Sequence, residues 1–161
     1  MNRRTFTTTA LLGLAVATAL PQAGLAQSNP LIGTWKVNLA KSKYSPGPPP
    51  RSNTAIWEAV GQGFRTRTEG IDAQGNPTKT DAGVFSFDGK SYPYTGNPAY
   101  DASSYKQVNA STFELTRTKA GRAVQTLTIV LSADGKSRTN TTTGVDEKGQ
   151  QINNVVVFEK Q

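Results

Sequence analysis

From residue 53 to the C-terminus the chain is a run of short alternating segments broken by glycine reversals, and that rhythm points to an antiparallel sheet. Reversals fall at Gly61-Gln62-Gly63, Asp88-Gly89-Lys90, Gly96-Asn97-Pro98 and Asp134-Gly135-Lys136. Glycine adopts the positive φ that tight hairpin turns require, and Asp or Asn accepts the turn's own amide hydrogens. Asp72-Ala73-Gln74-Gly75 and Asp146-Glu147-Lys148-Gly149 repeat one such turn, and their flanks match too, Thr68-Glu69-Gly70-Ile71 against Thr142-Thr143-Gly144-Val145. Two similar hairpins are expected there. Strands are expected over residues 54–60, 64–71, 78–87, 91–95, 104–109, 112–118, 123–132, 136–145 and 152–159. One more precedes them. In Leu31-Ile32-Gly33-Thr34-Trp35-Lys36-Val37 the odd positions share one face of an extended chain, so the indole of Trp35 points inward. Gly33 leaves room beside it for close packing, and a ring of that size can plug the end of a small barrel. Ten antiparallel neighbours joined by short turns tend to curl until exposed edges disappear. The expected fold is all-β, an up-and-down barrel of eight to ten strands.

The first 26 residues read differently: a basic start at Arg3-Arg4, an apolar run over 10–20 and a small-residue exit at Gly24-Leu25-Ala26. That is the layout of a cleaved signal peptide. Arg3-Arg4-Thr5-Phe6 resembles a twin-arginine signal, although paired arginines also occur in ordinary ones. Gln27 stands where a lipoprotein would need Cys. Residues 27–161 then form one domain, destined for the periplasm or secretion, with nothing long and apolar enough to span a membrane after cleavage. Residues 40–52 hold Ser45-Pro46-Gly47-Pro48-Pro49-Pro50 and are expected to form a stiff extended connector.

Gly33-Thr34-Trp35-Lys36 near the mature start, the hairpin series, and Val157-Phe158-Glu159-Lys160 at the end resemble the calycin group of lipocalins and fatty-acid-binding proteins. The stretch from Asn38 to Pro48 is also similar to small exported bacterial proteins of lipocalin type and unknown function. The resemblance implies a barrel closed by Gly33, Trp35 and Phe158, with an interior that takes a small molecule. In the fatty-acid-binding family an Arg-x-Tyr pair on the last strand holds the ligand carboxylate. Here those positions are Val156 and Phe158, and residues 123–132 hold no basic replacement.

Cysteine and histidine are both absent. Their absence removes disulfides, thiolate nucleophiles, thiolate metal sites and the usual base near neutral pH. No metal site and no cofactor is expected. Ser103-Ser104-Tyr105-Lys106 spells Ser-x-x-Lys, but the companion strings of serine acyl enzymes are missing and the setting is a strand. The charge of +7 falls to +5 once Arg3 and Arg4 leave, with 16 basic side chains against 11 acidic. So modest an excess on an exported chain does not fit nucleic-acid binding.

Arg117 shares a strand face with Phe113 and Leu115, which should be the inner one, where a buried guanidinium demands an anionic or hydrogen-bonding partner; the alternative is a place at the barrel rim, stem packed and head in water. The residues expected to meet a ligand are Arg117, Phe113, Trp57, Phe85, Phe87 and Tyr105, with Tyr92 and Tyr94 nearby. Arg65 and Arg67 lie opposite Phe64, Thr66 and Thr68 and should face solvent. The expected activity is non-enzymatic binding of a small apolar or amphipathic molecule by a monomer. The alternatives are an envelope-associated module using a basic outer face, or a cavity enzyme working without His and Cys.

Overall fold

A computed structural model describes residues 29–161, so the expected signal segment lies outside the described residues. Ten strands follow one another: β1 (Gly33–Lys43), β2 (Ser52–Val60), β3 (Gly63–Ile71), β4 (Pro77–Phe85), β5 (Asp88–Pro93), β6 (Ala102–Gln107), β7 (Thr112–Lys119), β8 (Arg122–Leu131), β9 (Ser137–Val145) and β10 (Gln151–Lys160). All are antiparallel in a single sheet ordered β4-β3-β2-β1-β10-β9-β8-β7-β6-β5. Each strand pairs with its chain neighbours except β4 with β5, and β1 joins β10, so the sheet curls into an up-and-down barrel that is nearly closed. The architecture is compatible with a calycin-like barrel.

The two matched turns form as expected. Asp72 accepts the Asn76 amide at 2.8 Å, and Asp146 accepts those of Lys148 and Gln150 at 2.8 Å each. Three local features differ from the sequence expectation. First, β4 and β5 are not hydrogen-bonded to each other, so a seam remains in the sheet. Side chains fill it: Phe85 meets Tyr92 at 5.9 Å between ring centroids, and Phe87 meets Phe64 at 4.3 Å and Phe113 at 5.2 Å. Second, Asp88-Gly89-Lys90 is not the reversal but the start of β5. Asp88 accepts the Lys90 amide at 3.0 Å, and this local turn shifts the register of β5 against β6 between Asp88 and Ser91. Third, β1 continues to Lys43 instead of giving way to the connector at residue 40. It bulges against β10 between Asn38 and Lys43, where the Ser42 hydroxyl accepts the Val157 amide at 3.0 Å in place of a ladder bond.

The proline-rich connector after β1 is tied across the sheet, with Ser45 donating to Asn154 Oδ1 at 2.8 Å and its carbonyl accepting from the Asn153 amide at 2.7 Å. Behind β1, the stretch Asn29–Leu31 turns across one end of the barrel. Leu31 and Trp35 are fully buried, and the Trp35 indole N–H donates to the Leu31 carbonyl at 2.8 Å. Gly33 holds φ +133°, and an added Cβ would stand 3.0 Å from Lys160 Cε. The neighbour it admits is therefore the stem of Lys160, whose ammonium lies 5.2 Å from the Trp35 ring. Phe158 packs into the same base, 5% exposed. Replacing Trp35 with alanine should cost about 3–5 kcal/mol in urea unfolding, the range for truncating a buried large ring. Val130→Ala, at a site 44% exposed, should stay within about 0.5 kcal/mol. Equal costs at the two sites would contradict the sealing role of the indole.

Candidate functional site

Alternation along each strand sends one side chain in two to the barrel interior. On β2 these are Asn53, Ala55 and Trp57; on β3 Thr66 and Thr68; on β9 Arg138, Asn140 and Thr142. With residues from β4, β6, β7, β8 and β10 they line a partly open cavity of about 200 Å³. Its walls are mixed. Trp57, Tyr105, Leu115, Leu127, Val156 and Phe158 form the apolar part, while threonine and asparagine from β2, β3, β4 and β9 form the polar part. Tyr44, from the start of the connector, and Tyr94, after β5, also line it.

Arg138 dominates the site. It is 2% exposed, and its guanidinium carbon lies 4.7 Å from the Trp35 ring, 5.1 Å from that of Trp57 and 5.1 Å from that of Phe158. The backbone explains the placement: Phe158 is paired with Arg138 across β10 and β9, and Leu131 is paired with it across β8 and β9. Three ring faces supply negative potential to the cation. They supply no hydrogen-bond acceptor, and Nε and Nη1 have none among the described residues. No Asp or Glu lines the cavity. Burial pushes the guanidinium down to about 9, still above neutrality, so the group is a cation at ordinary pH.

Arg117 also faces the interior, half-buried, with Phe113 and Leu115 on the same side of β7. Its Nη1 donates to Gln125 Oε1 at 2.8 Å, Gln125 in turn donates to the Val145 carbonyl at 2.7 Å, and the guanidinium lies 4.6 Å from the Tyr100 ring. Its Nε has no partner. Arg117 thus has one hydrogen-bond partner in the protein, whereas Nε and Nη1 of Arg138 have none among the described residues.

Of the side chains expected to meet a ligand, Trp57, Tyr105 and Arg117 line the cavity. Phe85, Phe87 and Phe113 do not, because they pack on one another and on Phe64 and Tyr105 to fill the barrel beside the seam. Phe158 joins the cavity as well as the base. Arg138, Asn140 and Thr142 were not singled out from sequence. Ser103 is fully buried and Lys106 is exposed, so the Ser-x-x-Lys pair points to opposite faces of β6. Arg65 and Arg67 face outward as expected and pair with Asp81 and Glu58. Among the described residues, no group of three or more potential ligands gathers to hold a metal.

The chain matches no protein-family model, and no curated protein is similar to it in sequence.

Burial raises the Tyr105 phenol well above its ordinary value, with the Arg117 charge opposing, and Tyr94 is raised by burial and by its neighbour Tyr100. A phenol whose folded pKa exceeds its unfolded value near ~10 contributes stability that is intact below that pH and is lost above it. Tyr105→Phe should therefore unfold in urea in parallel with the unaltered chain below about pH 10 and become relatively more stable above it. A difference between the two that is constant with pH would contradict the buried neutral phenol.

Proposed function

We propose that this chain is an exported, non-enzymatic binding protein that holds one small amphipathic molecule inside its barrel. The observation that carries the reading is a cavity with both apolar and polar walls, open on one side, in a fold whose remaining interior is filled by packed rings and aliphatic side chains. Pockets of this kind grip a ligand through apolar contact and orient it through a few polar groups. The size is informative. A dry cavity of about 150 Å³ accepts a benzene, while drug-sized ligands need about 300 Å³ or more. A space of about 200 Å³ suits a molecule of one ring with a substituent.

The lining pairs apolar surface with hydroxyl and amide groups, which suits holding a ligand. The basic outer face has less support as a docking surface. Arg65 and Arg67 lie against the carboxylates of Asp81 and Glu58, which neutralise them locally. Export, to the periplasm or beyond, is supported by the sequence of residues 1–26.

The test is fluorine NMR with a neutral one-ring probe such as fluorotoluene, beside native mass spectrometry of protein from its own host. One saturable site is expected, and Ala82→Phe, which places a ring among the lining residues of β4, should weaken it at least about tenfold while the chain stays folded. No saturable uptake and no co-purified species would overturn the reading.

A further inference from the structure

The Arg138 side chain is inside the protein, charged, and short of partners. Isolated buried charges are costly and are ordinarily paired or hydrogen-bonded. This one has neither, since the five ion pairs of the described residues all lie on the outer surface. A guanidinium is a planar fork of donors whose natural complement is a carboxylate. Its Nε and Nη1 are buried without a partner, and the side chain lines a cavity large enough to bring an acceptor to the guanidinium.

We infer that Arg138 is the anion-binding residue of the cavity and that the natural ligand is a compact monocarboxylic acid, with a one-ring or similarly small body. The inference rests on the proposed function and deepens it by naming the ligand's head and its length. The carboxylate sits against an edge of the Arg138 guanidinium at the base. The body lies over Trp57, Leu115 and Leu127. Asn140, next inward along β9, has a buried carbonyl oxygen with no donor, as does Asn53 on β2. These two acceptors suit hydroxyl or amino hydrogens on the ligand body, so a hydroxylated or aminated acid fits better than a bare hydrocarbon one. From Arg138 to Thr142 the wall runs only about 13 Å, at 3.3 Å per residue. A long-chain fatty acid is therefore too large in both length and volume. This anchor also differs from the last-strand pair to which the sequence resemblance pointed, where Val156 and Phe158 stand.

The charge is stationed by geometry and not by a counter-ion. The three rings hold the guanidinium in place without occupying its donors, and that leaves the fork free for an incoming carboxylate. A second positive charge, Arg117, faces the same cavity from β7, but its contact with Gln125 makes it a contributor to the field and not the main anchor.

The experiment compares 4-fluorobenzoate with 4-fluorobenzamide, nearly equal in shape and different in charge, by fluorine NMR titration of the unaltered chain. The benzoate should bind at least about tenfold more tightly, as expected when a charge-assisted pair replaces a neutral one. In Arg138→Gln that preference should collapse toward one, with near-ultraviolet dichroism confirming the fold. If that variant does not fold, the benzoate-to-benzamide ratio in the unaltered chain decides alone. Equal binding of the two probes would overturn the inference and leave the small-ligand reading standing. Binding of neither would remove both. Hexadecanoate or inorganic phosphate competing as well as benzoate would likewise overturn the assignment, the first on size and the second on the identity of the anion.

Discussion

A guanidinium stripped of water and held among three aromatic faces is the constraint around which the barrel is arranged. Trp35, Trp57 and Phe158 come from β1, β2 and β10, the three strands that join the two halves of the sheet, and Arg138 reaches them from β9. The contact thus ties the closing strands together at the base. Desolvating an ion costs several kcal/mol, and each ring returns about 2 kcal/mol or more in a dry setting. The rings offset the burial of the charge without consuming its hydrogen-bonding capacity. That combination makes the base both a structural seal and the floor of a binding site.

The interior is divided by what fills it. Beside the seam between β4 and β5, Phe64, Phe85, Phe87, Tyr105 and Phe113 pack ring against ring. Those contacts substitute for the hydrogen-bond ladder that the sheet lacks there. Farther along β2, β3 and β9, the inward residues Asn53, Ala55, Thr66, Thr68, Asn140 and Thr142 are small, and space remains. Cavity and plug follow from where the rings fall: at the seam and at the base, with short side chains between them.

Much of this was legible in the chain. Period-two alternation and acid-to-glycine turns gave the strands, the antiparallel order and the inward indole, because these depend on local geometry. Phe113 and Leu115 beside it gave Arg117 an inner face but did not separate a buried head from one at the rim, and the side chain is half-buried. Arg138 did not stand out, for a definable reason: every side chain of β9 from Ser137 to Thr143 is polar. Alternation carries no sign when both faces are hydrophilic. The signal lay in register, since Leu131 and Phe158, both inward, are its cross-strand neighbours. The seam was hidden as well, because Asp88-Gly89-Lys90 has the composition of a hairpin turn while acting as a kink inside β5. Phe85 and Phe87 look like ligand contacts in sequence, yet they meet other rings. Aromatic content alone does not separate a plug from a pocket.

The account stands or falls on the surroundings of the Arg138 guanidinium. A crystal structure of the protein purified from its own host, at a resolution that resolves ordered solvent, tests this most directly. Oxygen atoms of a bound non-protein anion are expected within about 3 Å of the Arg138 guanidinium nitrogens, with the remainder of that molecule lying toward Asn140 and Leu127. A guanidinium fully bonded to backbone carbonyls, or turned away from the cavity into solvent, would contradict it.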